Sequence, residues 1–383
     1  MSPKAPSSNA FRSFSSAQVN SLVDALLRRK YDVVGPVIRD GAIIYDRILS
    51  GSELPHGWTD EQQAGKYQLK RRNDQALFGY TVGPHSWKKF LFPSTSCVWA
   101  AQRVNGHFQI VADQQQPARM AFLGVRACEL CALAIQDKVF LEGAYLDTGY
   151  QARRKNVVII AVNCTQAGGT CFCDSMETGP QVSSGYDISL TEIFPDGEHL
   201  FLAHAATPIG EELIAEIAAQ PASKEQIAAA TAAVRSAAHQ MGRTMQTSGL
   251  KELLYRNVEN TRWDALADRC LSCANCTLVC PTCFCSTIED STDLAGQRAE
   301  RVRKWDSCFT TDFSHIHGGS VRATPRSKFR QWMMHKLAYW NDQFGTSGCT
   351  GCGRCITWCP VGIDITEEAR AIRDSEATAS ISL

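Results

Sequence analysis

Two stretches in the last third of the chain set four cysteines at one spacing, each closed by a proline. They are Cys270, Cys273, Cys276 and Cys280 before Pro281, and Cys349, Cys352, Cys355 and Cys359 before Pro360. Thiolates are soft ligands, and C-x2-C-x2-C-x3-C-P is the arrangement that holds cubane iron–sulfur clusters. Three close cysteines bind one cluster, and the fourth crosses over to the other. The crossover predicts Cys270, Cys273, Cys276 and Cys359 on a first [4Fe–4S] cluster. It predicts Cys280, Cys349, Cys352 and Cys355 on a second. Each proline ends its ligand loop and biases the preceding cysteine toward extended backbone.

Other uses of these thiols fit less well. Structural zinc takes two C-x2-C pairs across a long spacer and needs no proline after a run of four. Disulfides call for a secretory signal and an oxidising compartment. The opening residues MSPKAPSSNAFRSFSSAQVN hold no apolar core of a signal peptide, and none follows Arg28-Arg29. Cys276, Cys280 and Cys283 also match the C-x3-C-x2-C spacing of radical enzymes that use S-adenosylmethionine, as a by-product of the longer run.

Eight of the seventeen cysteines are used in this way, and nine remain. Cys128, Cys164, Cys171 and Cys173 form a third candidate ligand set for a [4Fe–4S] cluster. Cys128 follows an apolar run at Met120–Val125, and Cys164 follows another at Val157–Val162. If these are parallel neighbouring strands, both thiols emerge at the carboxyl edge of a sheet, where open α/β sheets bind ligands. The loop through Gly168-Gly169 returns Cys171 and Cys173 to the same place. A helix starting near Glu129 adds a positive dipole end suited to an anionic cluster. Cys131, one turn beyond Cys128, reads as a packed thiol beside that site. Cys283 and Cys285 are expected to line a cluster pocket, and Cys308 and Cys97 to pack in cores.

The elements that must position these residues can be read from periodicity. Ser15 to Arg29 reads as an amphipathic helix with Val19, Leu22, Val23, Leu26 and Leu27 on one face. The runs Met120–Val125 and Val157–Val162 have the short, bulky character of buried strands. Glu129–Leu141 between them has helical spacing, which predicts a strand–helix–strand unit. The expected organisation is an α/β domain over 1–207 carrying the third site, then a helical spacer over 208–249 interrupted at Pro221. An α-helical dicluster ferredoxin-type domain over 250–383 follows, with a 68-residue insertion, Pro281 to Gly348, between its cysteine runs. The tail from Ser375 is small and polar and is expected to fray.

Bulk composition narrows the functional classes. The 383 residues suffice for two or three domains, with 44% hydrophobic and 20% charged residues. Lys+Arg and Asp+Glu both number 39, so net charge gives no reason to expect nucleic acid or an anionic membrane as partner. No run of about 18 apolar residues is present to span a bilayer. Many cysteines without a signal peptide point to a reducing cytoplasm.

Together the residues resemble a known family. The matching segments are Gly124-Val-Arg-Ala-Cys128, Asn163-Cys164 through Cys173, Cys270 through Cys285, Trp305-Asp-Ser-Cys308-Phe309, and Cys349 through Asp364. They resemble the β subunit of cytoplasmic NAD(P)-linked [NiFe] hydrogenases of the sulfhydrogenase type, and equally the A subunit of anaerobic sulfite reductase. The resemblance runs from about Lys88 to Glu368. It implies a non-catalytic electron-transfer subunit between a flavin-containing, NAD(P)-binding diaphorase subunit and a catalytic metal subunit, of hydrogenase type before sulfite reductase type. The family's pattern also agrees with cluster ligation by the first-domain cysteines.

The alternative to a relay is a self-contained iron–sulfur enzyme, and several absences suit the relay. No G-x-G-x-x-G follows a strand, and there is no P-loop and no H-E-x-x-H. Gly348, Gly351 and Gly353 are interleaved with cluster ligands and do not form a dinucleotide fingerprint. His315 and His317 read as loop histidines. Arg153-Arg154-Lys155 reads as a solvated lead-in to a strand, and Arg322, Arg326, Lys328 and Arg330 as a charged helix face or docking surface.

Overall fold

A computed structural model of the chain describes residues 11–111 and 117–381. The first part is built on an eight-stranded sheet. Its strands are β1 (Phe11–Ser15), β2 (Asp32–Arg39), β3 (Ala42–Arg47), β8 (Met120–Val125), β9 (Val157–Val162), β10 (Ile188–Ile193), β11 (Leu200–Ala205) and β12 (Gln220–Pro221). The spatial order is β12-β1-β11-β10-β9-β8-β2-β3. The strands β2, β8, β9 and β10 run parallel, and antiparallel neighbours flank them on both sides. The expected strand–helix–strand unit is present: β8, a helix at Ala127–Leu141, then β9 paired in parallel with Met120 opposite Val157. Every residue of β8 is buried, as a central parallel strand covered on both faces requires. Gly124 sits at φ +96°, and a Cβ there would lie 3.0 Å from the Phe78 ring, so glycine alone fits the bulge that re-aims the chain toward Cys128.

The amphipathic helix forms over Gln18–Arg28 and buries Val19, Leu22, Val23 and Leu26 against the sheet. Its start is later than expected because Ser15 is spent in β1, where it pairs with Leu200. Within 208–249, helices form at Pro208–Glu216 and Lys224–His239, separated at Pro221, and the chain is irregular after His239. These helices pack on the sheet through Leu213, Ile214 and Ala230, and Gln220–Pro221 adds the edge strand β12.

The remaining strands are β4 (Trp58–Gln63), β5 (Lys66–Arg71), β6 (Thr95–Val104), β7 (His107–Val111), β13 (Ser286–Thr292) and β14 (Arg298–Trp305). β4 and β5 form a hairpin. The other four make an antiparallel sheet ordered β13-β14-β6-β7. This corrects the α-helical description of the second domain: the insertion between the cysteine runs begins with a β-hairpin, and that hairpin completes a sheet with first-domain strands. The turn Asp293–Gly296 closes it, with the Asp293 carboxylate accepting from the backbone N–H of Gln297 at 2.6 Å. Beyond a short antiparallel pair of His315–Ile316 with Gly319–Ser320, the regular structure in the rest of the second part is helical, with Leu253, Trp263, Phe329, Trp332, Met333, Ile356 and Ile372 in one core. The last helix, Ile365–Ile381, carries the tail that was expected to fray from Ser375. Among the described residues no helix is long and apolar enough to cross a membrane.

Candidate metal centre

The parallel pairing of β8 and β9 brings Cys128 and Cys164 out at one sheet edge, as the sequence predicts. Cys128 lies in the first turn of the helix, one position after Ala127. The loop at Gly168–Cys173 folds back, with the Cys171 N–H donating to the Gly168 carbonyl at 3.2 Å. Cys128 and Cys173 share a hydrogen bond, and Cys171 lies within electrostatic reach of Cys164 and Cys173. Cys128, Cys171 and Cys173 are buried and Cys164 partly so. Burial drives Cys171 well above the ordinary thiol range and Cys164 up to about 11, against the pull of the Arg126 guanidinium. Cys131 stands apart, half-buried, donating to the Thr178 carbonyl at 3.8 Å.

The two C-terminal runs interleave. Cys276 is influenced by Cys270, Cys359 and Cys273, so the end of the second run joins the first three cysteines of the first. Burial pushes Cys355 up most, and the cysteines that act on it are Cys349, Cys352 and Cys280 ahead of Cys276, so the end of the first run lies with the second. Backbone N–H groups point at the sulfurs: Ser272 at Cys270 (3.4 Å), Gly351 at Cys349 (3.4 Å) and Ile363 at Cys359 (3.3 Å). Cys273 is the exposed thiol of its group, flanked by the exposed side chains of Leu271 and Val361.

The second run lies directly on the first domain. Phe172 donates its N–H to the Gly351 carbonyl at 2.9 Å, and Thr178 donates its hydroxyl to the Thr350 carbonyl at 2.6 Å. Gly351 (φ +64°) and Gly353 (φ +76°) would place a Cβ 2.6 Å from the Phe172 carbonyl and 2.5 Å from the Thr170 carbonyl. Glycine between the ligands is therefore what allows two backbones to touch. The contact sets Cys352 beside Cys128 and Cys173 in one buried cluster.

Charge tests whether these groups suit an anionic metal cluster. Arg126, Arg354, Lys336 and Lys88 are all buried around the cysteines. Arg354 pairs with the buried Glu129 carboxylate, which also accepts from Tyr45 (2.8 Å) and Trp87 (3.0 Å). Arg126 donates to the Phe78 and Tyr80 carbonyls and lies 3.9 Å from Cys164 Sγ. Lys336 donates to Cys280 Sγ at 3.1 Å. One nitrogen of Arg354, Nη1, is buried with no acceptor, and the thiols of Cys352 and Cys128 are among the groups acting on that side chain. Buried cations need anionic partners, and deprotonated thiols holding a cluster would provide them. Among the described residues no three His, Cys, Asp or Glu side chains close on one point as the ligands of a single ion would. The fit therefore rests on donor type and charge.

Sequence reasoning missed these four cations, and Lys328, read as part of a charged helix face, is buried as well. For Lys336 a signal existed: one lysine inside the apolar run Met333 to Trp340. Cys283 and Cys285 lie beside the second group, where Cys283 shares a hydrogen bond with Cys280 and Cys285 with Cys308. Cys308 packs in the core as expected, next to Phe309. Cys97 is exposed on β6, correcting its assignment to a core, because that sheet leaves much of its surface open. His315 and His317 are exposed. Arg154 pairs with Asp137, while Arg326 and Arg330 pair with Glu259, so these charges are engaged within the chain.

A family model described as a 4Fe-4S dicluster domain matches residues 269–363. The chain is 30% identical over 302 residues to the sulfhydrogenase 2 subunit beta of Pyrococcus furiosus, covering 79% of this chain and 86% of that protein. No solved structure matches the chain.

Proposed function

Since the chain belongs to the family of sulfhydrogenase beta subunits and carries a [4Fe–4S] dicluster domain, we propose that it relays electrons through three clusters inside an oxidoreductase complex. Cys270, Cys273, Cys276 and Cys359 hold the first cluster, and Cys280, Cys349, Cys352 and Cys355 the second. Cys128, Cys164, Cys171 and Cys173 hold the third. Such clusters supply one-electron carriers, whereas a nicotinamide delivers a hydride, so a flavin subunit must split the pair. The partners proposed are therefore a flavin-containing NAD(P) diaphorase subunit and a [NiFe] hydrogenase catalytic module.

The observation that carries this reading is the close contact of the second ligand loop with the first domain. Gly351 and Gly353 bring Cys352 beside Cys128 and Cys173, so the second and third sites adjoin. The Cys276 thiol is likewise among the groups that act on Cys355, which joins the first site to the second. The three sites then form one continuous line. Its outer end is at Cys273, where exposed Leu271 and Val361 offer an apolar rim to a partner. Buried Arg126, Arg354 and Lys336 balance the charge of the thiolates along the line.

The test is reconstitution. The purified chain alone, kept anaerobic, should show no steady dye-linked oxidation of H2 or NAD(P)H. Added to the flavin and catalytic subunits, it should restore electron transfer between them. Steady turnover by the chain without partners would overturn the reading.

A further inference from the structure

Lys336 is out of place unless it faces an anion. It lies in the apolar run Met333 to Trp340, where the helix widens into a π turn over His335–Tyr339. π turns of this kind recur at functional sites. The side chain is only 5% exposed. Its ammonium donates to Cys280 Sγ at 3.1 Å, Thr282 Oγ1 at 3.0 Å and the Gly348 carbonyl at 3.5 Å. These bonds satisfy its three donors and leave its charge uncompensated. The charges that act on it most strongly are those of cysteines, Cys280 and Cys283 foremost and then Cys349. Two of the three belong to the second four-thiol group.

We infer that Lys336 is a fixed counter-ion of the cluster held by Cys280, Cys349, Cys352 and Cys355, acting at Cys280 while Arg354 acts at Cys352, and that it raises that cluster's reduction potential. The inference rests on the cluster assignment proposed above. A positive charge against a ligand sulfur favours the state carrying one more electron, and hydrogen bonds to ligand sulfurs act in the same direction. Backbone N–H donors reach Cys270 and Cys359 of the first group and Cys349 of the second alike, and the third has Arg126 near Cys164; the ammonium hydrogen-bonded to Cys280 is what sets the second group apart. Lys336 is therefore a positioning residue for the potential of the second site above all; it also acts on Cys276 of the first, so its loss should shift that site less and leave the third where it is.

The experiment is a redox titration followed by electron paramagnetic resonance on the full chain, with iron measured in each sample. Lys336→Met and Lys336→Gln remove the charge, and Lys336→Arg keeps it. In the neutral variants one cluster should become at least tenfold harder to reduce at a fixed potential. That is a shift of about 59 mV or more to the negative for a one-electron couple. The arginine variant should stay close to the parent. A neutral variant with full iron and unchanged potentials would overturn the inference. If both neutral variants lose about four iron atoms while Lys336→Arg retains them, the charge is needed for the cluster itself, which also supports the assignment. Equal loss in all three variants would overturn it by showing a packing role only. A parent protein that never binds cubane clusters would instead overturn the reading on which the inference rests.

Discussion

Replacing Arg354 with methionine removes the charge that joins the second cysteine run to the first domain. Arg354 is fully buried between two of its ligands, and its guanidinium donates to the Gly83 and His85 carbonyls at 2.8 Å each as well as to Glu129. The partners are 225 or more residues away in sequence, so this side chain spans the contact between the two parts of the molecule. Removing one member of a buried ion pair costs about 3–5 kcal/mol, because the other charge is stranded. Glu129 would keep Tyr45, Trp87 and the Arg126 N–H, so the lower half of that range is expected, about 3 kcal/mol. Neutralising the stranded partner as well, in Arg354→Met with Glu129→Gln, should recover part of the loss. A coupling of about 2 kcal/mol between the two changes is predicted. Anaerobic urea unfolding followed by circular dichroism, with iron measured alongside, would supply both numbers. A single variant within about 1 kcal/mol of the parent would refute the reasoning, and so would a double variant costing the sum of the two singles.

The crossover of ligands gives a second prediction. Cys359→Ser should lose the same resonance signal as Cys270→Ser, and Cys280→Ser the same as Cys355→Ser; a Cys359 variant that matched Cys349→Ser would show each run closing its own cluster. A third concerns acid stability. Burial, with Lys336 and Arg322 nearby, holds the half-buried His335 down to about 4, below its ordinary 6.5. The unfolded chain then takes up the proton first, so this contribution is complete above about pH 6.5 and is lost as the pH falls toward 4. Allowing for partial exposure, about 2 kcal/mol is at stake. His335→Gln should flatten the fall in urea midpoint between pH 7 and pH 5, and a slope equal to the parent's would contradict the assignment.

Local pattern revealed the parts of this molecule whose partners lie nearby in sequence. The buried run Met120–Val125, the helix after it and Val157–Val162 announced a parallel unit, and the unit is there because each segment carries its own period. The eight candidate ligands of the C-terminal runs stand out by their spacing, whereas the four in the first domain were singled out only by the strands and the glycine loop that carry them. The hairpin β13–β14 was missed because its faces carry Glu289, Asp290, Arg301 and Arg303 where an apolar stripe would have betrayed strands. It exists through pairing with β6, with Arg301 opposite Trp99 in a register that no local signal encodes. The buried ion pair was hidden in the same way. Glu129 looked like a helix-start residue and Arg354 carried no reading of its own, until the fold brought them together. Lys336 was partly legible, since a lone lysine within Met333–Trp340 asks for an anion, but its proximity to Cys280 depends on tertiary packing.

The most direct measurement of the central claim is the iron content of the anaerobically purified chain and of its Cys171→Ser variant. Three cubanes predict about twelve iron atoms per chain, and the variant should lose about a third of them while the two clusters of the C-terminal runs keep their signals. A fully loaded parent holding about eight iron atoms, unchanged by the substitution, would contradict the third site and the continuous line of clusters built on it.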